Sequence, residues 1–247
     1  MASQKDEYII PYMRFRQLVG WVAIGLPIAV WVGAYLRESI PVQGSVSSYY
    51  YTSMRDLFVG LLCAAGVFLC FYRGVNKWDT ILAHLAGFAV IGIAVLPMDP
   101  TYASIIQQQF PGSKTPPCYF NGGPLKFHEA ASVVFFGLIS YMAIFRFPLT
   151  KESLITPQKQ WRNLVYAVCG VAMVVGVGII IWIRLKTKLS IFWPEFITIA
   201  AFGVAWLTKG QFVLQDKESQ RTIPMAGRYR WGWGKGSPQQ GSTVAHV

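Results

Sequence analysis

Apolar residues gather in six runs along the chain, at about 17–36, 57–73, 80–97, 127–146, 164–183 and 193–214, with polar segments between them. The hydrocarbon core of a bilayer needs roughly 20 predominantly apolar residues per helix, and each run approaches that length. The pattern predicts an all-α fold, a polytopic integral membrane bundle of six transmembrane helices. Hydrophobic residues make up 53% of the chain and its mean hydropathy is +0.40, which agrees. With so much of the 247 residues in spans, no separate soluble domain is expected. The predicted organisation is a cytoplasmic N-terminal segment at 1–16, a membrane domain at 17–214 and a basic, aromatic cytoplasmic tail at 215–247.

The polar segments differ in character. Spans two and three are joined by a tight turn at 74–79, which predicts an antiparallel hairpin. Small residues at four-residue spacing, Gly60 with Ala64 and Ala83 with Gly87, would let its two backbones approach closely. Span five, with Gly170, Gly176 and Gly178, is the most apolar, and span six carries Glu195 and Lys209 near its ends, where both would snorkel to water. The first outer loop is rich in serine and tyrosine. The second, at 98–126, contains Pro100, Pro111, Pro116, Pro117 and Pro124 with Gly112, Gly122 and Gly123, a composition that excludes long helices and predicts a compact irregular cap. These two loops make the outer face the expected working face.

Charge adds the threading. The net charge is +11, and 15 of the 22 Lys and Arg fall in the N-terminal segment, the second and fourth loops and the tail. By the positive-inside rule those segments, and so both termini, are cytoplasmic. The excess charge then reflects topology and attraction to anionic headgroups, so membrane lipids are the expected partners and nucleic acid is not. The interleaved aromatic and basic residues at 228–235 read as an interfacial anchor. Asp6 and Glu7 precede a first span too long for a signal-peptide core, so that span is read as a retained signal-anchor. Of the four cysteines, Cys63, Cys70 and Cys169 lie in spans and Cys118 in an outer loop, which gives neither an outer disulfide pair nor a metal pattern.

Ionisable residues at the outer helix ends form the candidate constellation. Arg55 and Asp56 open span two, Asp99 closes span three, and His128 and Glu129 open span four, with Ser132 one turn below His128. In a functional arrangement His128 is a base or ligand, Asp99 and Asp56 orient it or share a cation, Arg55 holds an anionic headgroup, and Tyr49, Tyr50 and Tyr51 rim the pocket. In a structural arrangement Asp56 and Glu129 complement helix dipoles and Asp99 caps a turn before Pro100. His84, at the other end of span three, is expected to hydrogen-bond inside the bundle, with Asp79 as a candidate partner. With His84, His128 and His246 as the only histidines, no three-histidine zinc site fits within the bilayer. No GxSxG, HExxH or Walker A motif is present.

These residues carry a family resemblance. The loop Ser-Val-Ser-Ser-Tyr-Tyr-Tyr-Thr at 45–52, running into Arg-Asp-Leu-Phe-Val-Gly at 55–60, resembles the Ser-Ile-Ser loop of a bacterial six-helix membrane family of unknown function. Val-Leu-Pro-Met-Asp at 95–99 is similar to that family's Phe-Pro-x-Asp ending of span three. Phe-His-Glu-Ala-Ala at 127–131, followed by Phe135 and Phe136, is similar to its opening of span four. A more distant likeness is to the damage-regulated autophagy modulators and the GPI-lipid-remodelling membrane proteins of eukaryotes. The resemblance covers roughly 40–146. It implies Ser45, Ser47, Asp99 and His128 as marked positions, six helices, and a role near lipids, without supplying a reaction. The transmembrane lipid hydrolases to which such proteins are compared need more histidines near the C-terminus than this chain has.

The leading expectation is a non-enzymatic protein binding a lipid or small amphiphile in an outer-face pocket between spans two and four, with Ser45, Ser47, Tyr50, Arg55, Asp56 and Glu129 as ligand contacts. One alternative is a membrane-embedded lipid hydrolase or transferase using His128 and Asp99. A second is an oligomeric transporter or channel with its path at a subunit interface. The cofactor stays open: no metal ligand is assigned, the hydrolase alternative admits a divalent cation, and the resemblance points to the plasma membrane, as a bacterial inner-membrane protein.

Overall fold

A computed structural model describes residues 4–74, 76–96, 98, 101–109, 127–150, 156–187, 189–214 and 230–231. Helices dominate these residues: α1 (Gln4–Glu38), α2 (Arg55–Cys70), α3 (Lys77–Val95), α4 (Thr101–Gln109), α5 (Phe127–Tyr141), α6 (Pro157–Lys186) and α7 (Phe192–Lys209). A 3-10 turn, Ser47–Tyr51, precedes α2, and α5 runs on through a π-helical turn, Met142–Arg146. One two-residue antiparallel pair joins β1 (Leu149–Thr150) to β2 (Arg230–Trp231). Four segments are long and apolar enough to cross a membrane: Met13–Glu38, Lys77–Val95, Phe127–Arg146 and Pro157–Lys186. The other two predicted spans coincide with α2, which has 16 residues, and α7, whose ends carry Glu195 and Lys209. The nine residues of α4 lie inside the loop expected to be irregular.

Local sequence sets the helix starts. Asn76 and Asp79 form a capping box at α3, each side chain accepting the other's backbone N–H at 3.1 Å. Thr156 accepts the Lys159 N–H at 3.1 Å, and Pro157 follows at the first helical position of α6, where its missing N–H costs nothing.

The six long helices close a ring in chain order. Each of α1, α2, α3, α5, α6 and α7 packs on its predecessor and successor, and α7 returns to α1. Contacts at the two ends show that neighbours alternate in direction. The end of α5 meets the start of α3 through Arg146 and Asp79, while the end of α6 meets the start of α5 through Arg184 and Glu129. The tightest seams are built on paired glycines. A Cβ on Gly66 would lie 2.9 Å from the Gly87 carbonyl oxygen, and one on Gly87 would lie 2.7 Å from that of Gly66. Gly20 and Gly203 do the same between α1 and α7, at 2.8 Å each way. Close approach in the α2–α3 hairpin was expected, but at Gly60; that glycine faces open space, and Gly66 takes its place opposite Gly87. The α1–α2 seam is looser, and so is the α5–α6 seam ahead of the π-helical turn.

Outward faces of the ring remain apolar. On α6, Val168, Val171, Val174, Val175 and Trp182 are all more than half exposed. A stripe of this kind has no favourable contact with water but matches lipid tails.

At the end opposite the serine-rich loop, polar groups turn inward. Asp79 pairs with Arg146 at 2.6 Å, so the partner considered for His84 is held by α5 instead. Lys209 was expected to snorkel. Its ammonium instead lies 4.8 Å from the centre of the Phe147 ring, a cation–π contact, and 3.5 Å from the Phe147 carbonyl. Lys159 donates to that same carbonyl at 3.3 Å, and Arg162 donates to the Leu214 carbonyl at 2.8 Å. The Phe147 carbonyl, freed where the π-helical turn ends, thus collects one lysine from each of the next two helices.

Candidate functional site

The ring surrounds a partly open cavity of about 150 Å³ toward the serine-rich loop. All six long helices contribute to its wall, including Leu26 from α1, Phe58 and Ala65 from α2, Ile93 from α3, Phe135 from α5, Val177 from α6 and Ile199 from α7. Its polar groups are Ser47, His128, Glu129, Ser132, Arg184 and Glu195. The site therefore draws on all six long helices rather than on those of predicted spans two to four alone.

His128, buried at the start of α5, is fixed by two hydrogen bonds. Its Nδ1 lies 2.9 Å from the carbonyl oxygen of Leu96, and its Nε2 lies 3.0 Å from Ser47 Oγ. A carbonyl can only accept, so in the neutral ring Nδ1 carries the hydrogen. Nε2 is then the acceptor, and the Ser47 hydroxyl donates to it. Ser132 Oγ donates to the His128 carbonyl at 2.8 Å, a local bond that leaves its Cβ on the cavity wall. Glu129 pairs with Arg184 at 3.0 Å, joining α5 to α6 across their loose seam; both side chains keep about a quarter of their surface exposed.

The loop that carries Ser47 is clamped to α7. Ser45 Oγ donates to both oxygens of Glu195, at 3.0 and 2.8 Å, and the Val46 N–H donates to Oε2 at 2.6 Å. The Gly44 carbonyl accepts from the Ile191 N–H at 2.8 Å. Within the loop, Ser48 Oγ donates to the Ser45 carbonyl and Thr52 Oγ1 to that of Tyr49. The three consecutive tyrosines do not rim the cavity. They are buried against Val30, Ala34, Ile40 and Phe192, and their hydroxyls are used in holding the loop. Tyr51 donates to the Met98 carbonyl, and Tyr49 accepts the Gln43 N–H at 3.2 Å. Burial pushes the Tyr49 phenol up to about 12, so it stays neutral.

The predicted site residues thus separate. Ser47, His128 and Glu129 line the cavity, and Ser45 supports it through Glu195. Arg55 lies off the wall with its guanidinium 4.6 Å from the centre of the buried Tyr50 ring and 2.8 Å from the Tyr50 hydroxyl, to which it donates. Asp56 is exposed in the first turn of α2, where it complements the helix dipole. Asp99 lies outside the described residues. Two cavity residues escaped the sequence reading: Arg184 was counted only toward topology, and Glu195 was read as snorkelling. The same rule that singled out His128, a charged group at an outer helix end, would have found both if applied to spans five and six. Among the described residues, no three of His, Cys, Asp and Glu stand close enough together to hold a metal.

No family model matches the chain, and neither a curated protein nor a solved structure matches it.

Proposed function

We propose that the protein is a multi-pass membrane protein whose central cavity receives the acyl part of a lipid or similar amphiphile. The observation that carries this reading is the polarity gradient of the cavity. Its walls are apolar from Ala23 and Phe202 to Phe58, and its polar groups gather at one end, around His128, Ser47 and the Glu129–Arg184 pair. Pockets for small ligands commonly have this form, an apolar body with a few convergent polar groups that set orientation. The loose α5–α6 seam beside Glu129 and Arg184 offers a lateral way in from the bilayer. In this reading Arg184, not Arg55, is the cation nearest the headgroup.

The topology that fits is six crossings with both termini cytoplasmic. The end of the ring carrying Arg16, Arg146, Lys159, Arg162 and Lys209 faces the cytoplasm, as the positive-inside rule prefers. α2 is about 24 Å long and would be matched by local thinning of the bilayer. The resemblance drawn from the sequence agrees with a role near lipids in a bacterial inner membrane.

Filling the cavity tests the reading. A cavity of about 150 Å³ lined by apolar side chains accepts one benzene-sized ring, so Ala65→Phe places a phenyl group where the acyl segment would lie. Native mass spectrometry of the detergent-purified protein is expected to show retained lipid on the wild type. Occupancy should fall at least ~10-fold in Ala65→Phe, a loss of about 1.4 kcal/mol in binding. Equal occupancy of the two proteins, or none on the wild type, would overturn it.

A further inference from the structure

Ser47 and His128 meet the geometric requirements of a nucleophile and its base. The hydroxyl and Nε2 are 3.0 Å apart, and a third group orients the base, since Nδ1 is held at 2.9 Å by the Leu96 carbonyl. Activated serine is recognised by this chain of contacts rather than by a sequence motif. Both residues also line the cavity, so the pair is in contact with the space a ligand would fill. The neighbouring hydroxyls are used differently. Those of Ser45, Ser48 and Thr52 bind Glu195 or loop carbonyls and hold the backbone in place, whereas that of Ser47 is given to the imidazole. The anchoring of the loop to α7 fixes the serine as well, because Glu195 binds the Val46 N–H and Ser45 Oγ accepts the Ser47 N–H at 3.1 Å.

We propose that Ser47 is a catalytic nucleophile and His128 its general base, acting on the ester bond of an acylated amphiphile whose chain occupies the cavity. This rests on the lipid-binding reading above. The cavity encloses roughly six carbons' worth of chain, and the ester carbonyl then falls at the polar end, beside Ser47. Ser47 Oγ attacks the carbonyl carbon as its proton passes to Nε2. The tetrahedral intermediate collapses, the bond from acyl carbon to alcohol oxygen breaks, and the leaving alcohol takes the proton back from Nε2. A water molecule then attacks the acyl-serine and gives its proton to Nε2. Fatty acid leaves, and the proton returns to Ser47 Oγ. Arg184 on the same wall supplies positive charge toward the developing oxyanion.

A fluorophosphonate with a long alkyl chain reports on this directly, because attack by an activated serine expels fluoride and leaves a stable phosphoryl adduct. Wild-type protein in detergent micelles is expected to take up one adduct, mapped by peptide mass spectrometry to Ser47. Ser47→Ala should remain unlabelled, and His128→Gln should label at least ~100-fold more slowly, the usual contribution of a general base. An unlabelled wild type, an adduct on another residue, or wild-type labelling of Ser47→Ala would each overturn the proposal. Mapping the wild-type adduct decides the matter even where a variant fails to fold. Lipid retained without any adduct would overturn the catalytic inference and leave the binding reading standing; absence of both would remove both.

Discussion

Glu195→Ala is expected to give the largest single loss of stability among the polar residues of the cavity. The carboxylate accepts the Ser45 hydroxyl and the Val46 N–H, and Ser45 and Val46 are 0% and 1% exposed, so water cannot replace it without opening the loop. Each buried donor left unsatisfied costs about 1–3 kcal/mol, so the pair together loses about 3 kcal/mol. The clamp also sets the position of Ser47, and the variant should therefore lose lipid as well as stability. Glu195→Gln keeps one acceptor oxygen and should retain most of both. Thermal unfolding in detergent, followed for the three proteins side by side, gives the comparison. An alanine variant that unfolds with the wild type would show that the loop is held by other contacts.

A methyl group added at Gly203 should be nearly as damaging, although glycine is among the poorest helix formers. Its Cβ would stand 2.8 Å from the Gly20 carbonyl oxygen and 2.6 Å from Ile24 Cγ1, and a backbone carbonyl on a packed helix cannot swing aside. Overpacking of this sort costs about 1–3 kcal/mol. Gly203→Ala should lose that amount, and Gly203→Leu should prevent α7 from docking on α1, which opens the ring. Gly60→Ala and Gly137→Ala provide the contrast, since nothing lies within 4 Å of either new methyl. Alanine's better helix propensity, up to ~1 kcal/mol, then makes both neutral or stabilising. Unfolding midpoints of the four alanine and leucine variants test the opposite signs. A tolerated Gly203→Leu would contradict the close approach of α1 and α7.

What the sequence could and could not reveal follows from the range of each interaction. Helices were legible because apolar runs and their breaks are local, and all six predicted runs fall on long helices. The tight turn at 74–79 was legible for the same reason. Partner choice was not. Gly60 and Gly66 look equivalent in sequence, and the rotation of α2 that turns Gly66 toward Gly87 is set by packing over the whole helix. The tyrosines at 49–51 sit in a polar loop, which suggested exposure. In the fold, the 3-10 turn directs them into an apolar layer under α1 and α7, with the Tyr49 and Tyr51 hydroxyls bonded to backbone and that of Tyr50 to Arg55. Among the cavity residues, His128 was chosen on helix-end position and, like Ser47, on family resemblance, but nothing in the sequence paired the two. Their contact spans 81 positions in the chain. Glu195, 150 positions from Ser45, was misjudged because a carboxylate near a helix start is ordinarily cheap at a membrane boundary. Here the folded loop removes it from water and supplies the donors instead.

The most direct measurement of lipid in the ring is photo-crosslinking with a phospholipid that carries a diazirine within the first ~six carbons of one acyl chain, the length the cavity accepts, followed by peptide mapping. If the cavity receives the chain, adducts should fall on its lining residues, among them Phe136, Val177 and Ile199, and should be lost in Ala65→Phe. Adducts confined to the outward face of α6, at Val168, Val171, Val174 and Trp182, would show that lipid only bathes the helices, and would contradict the binding reading.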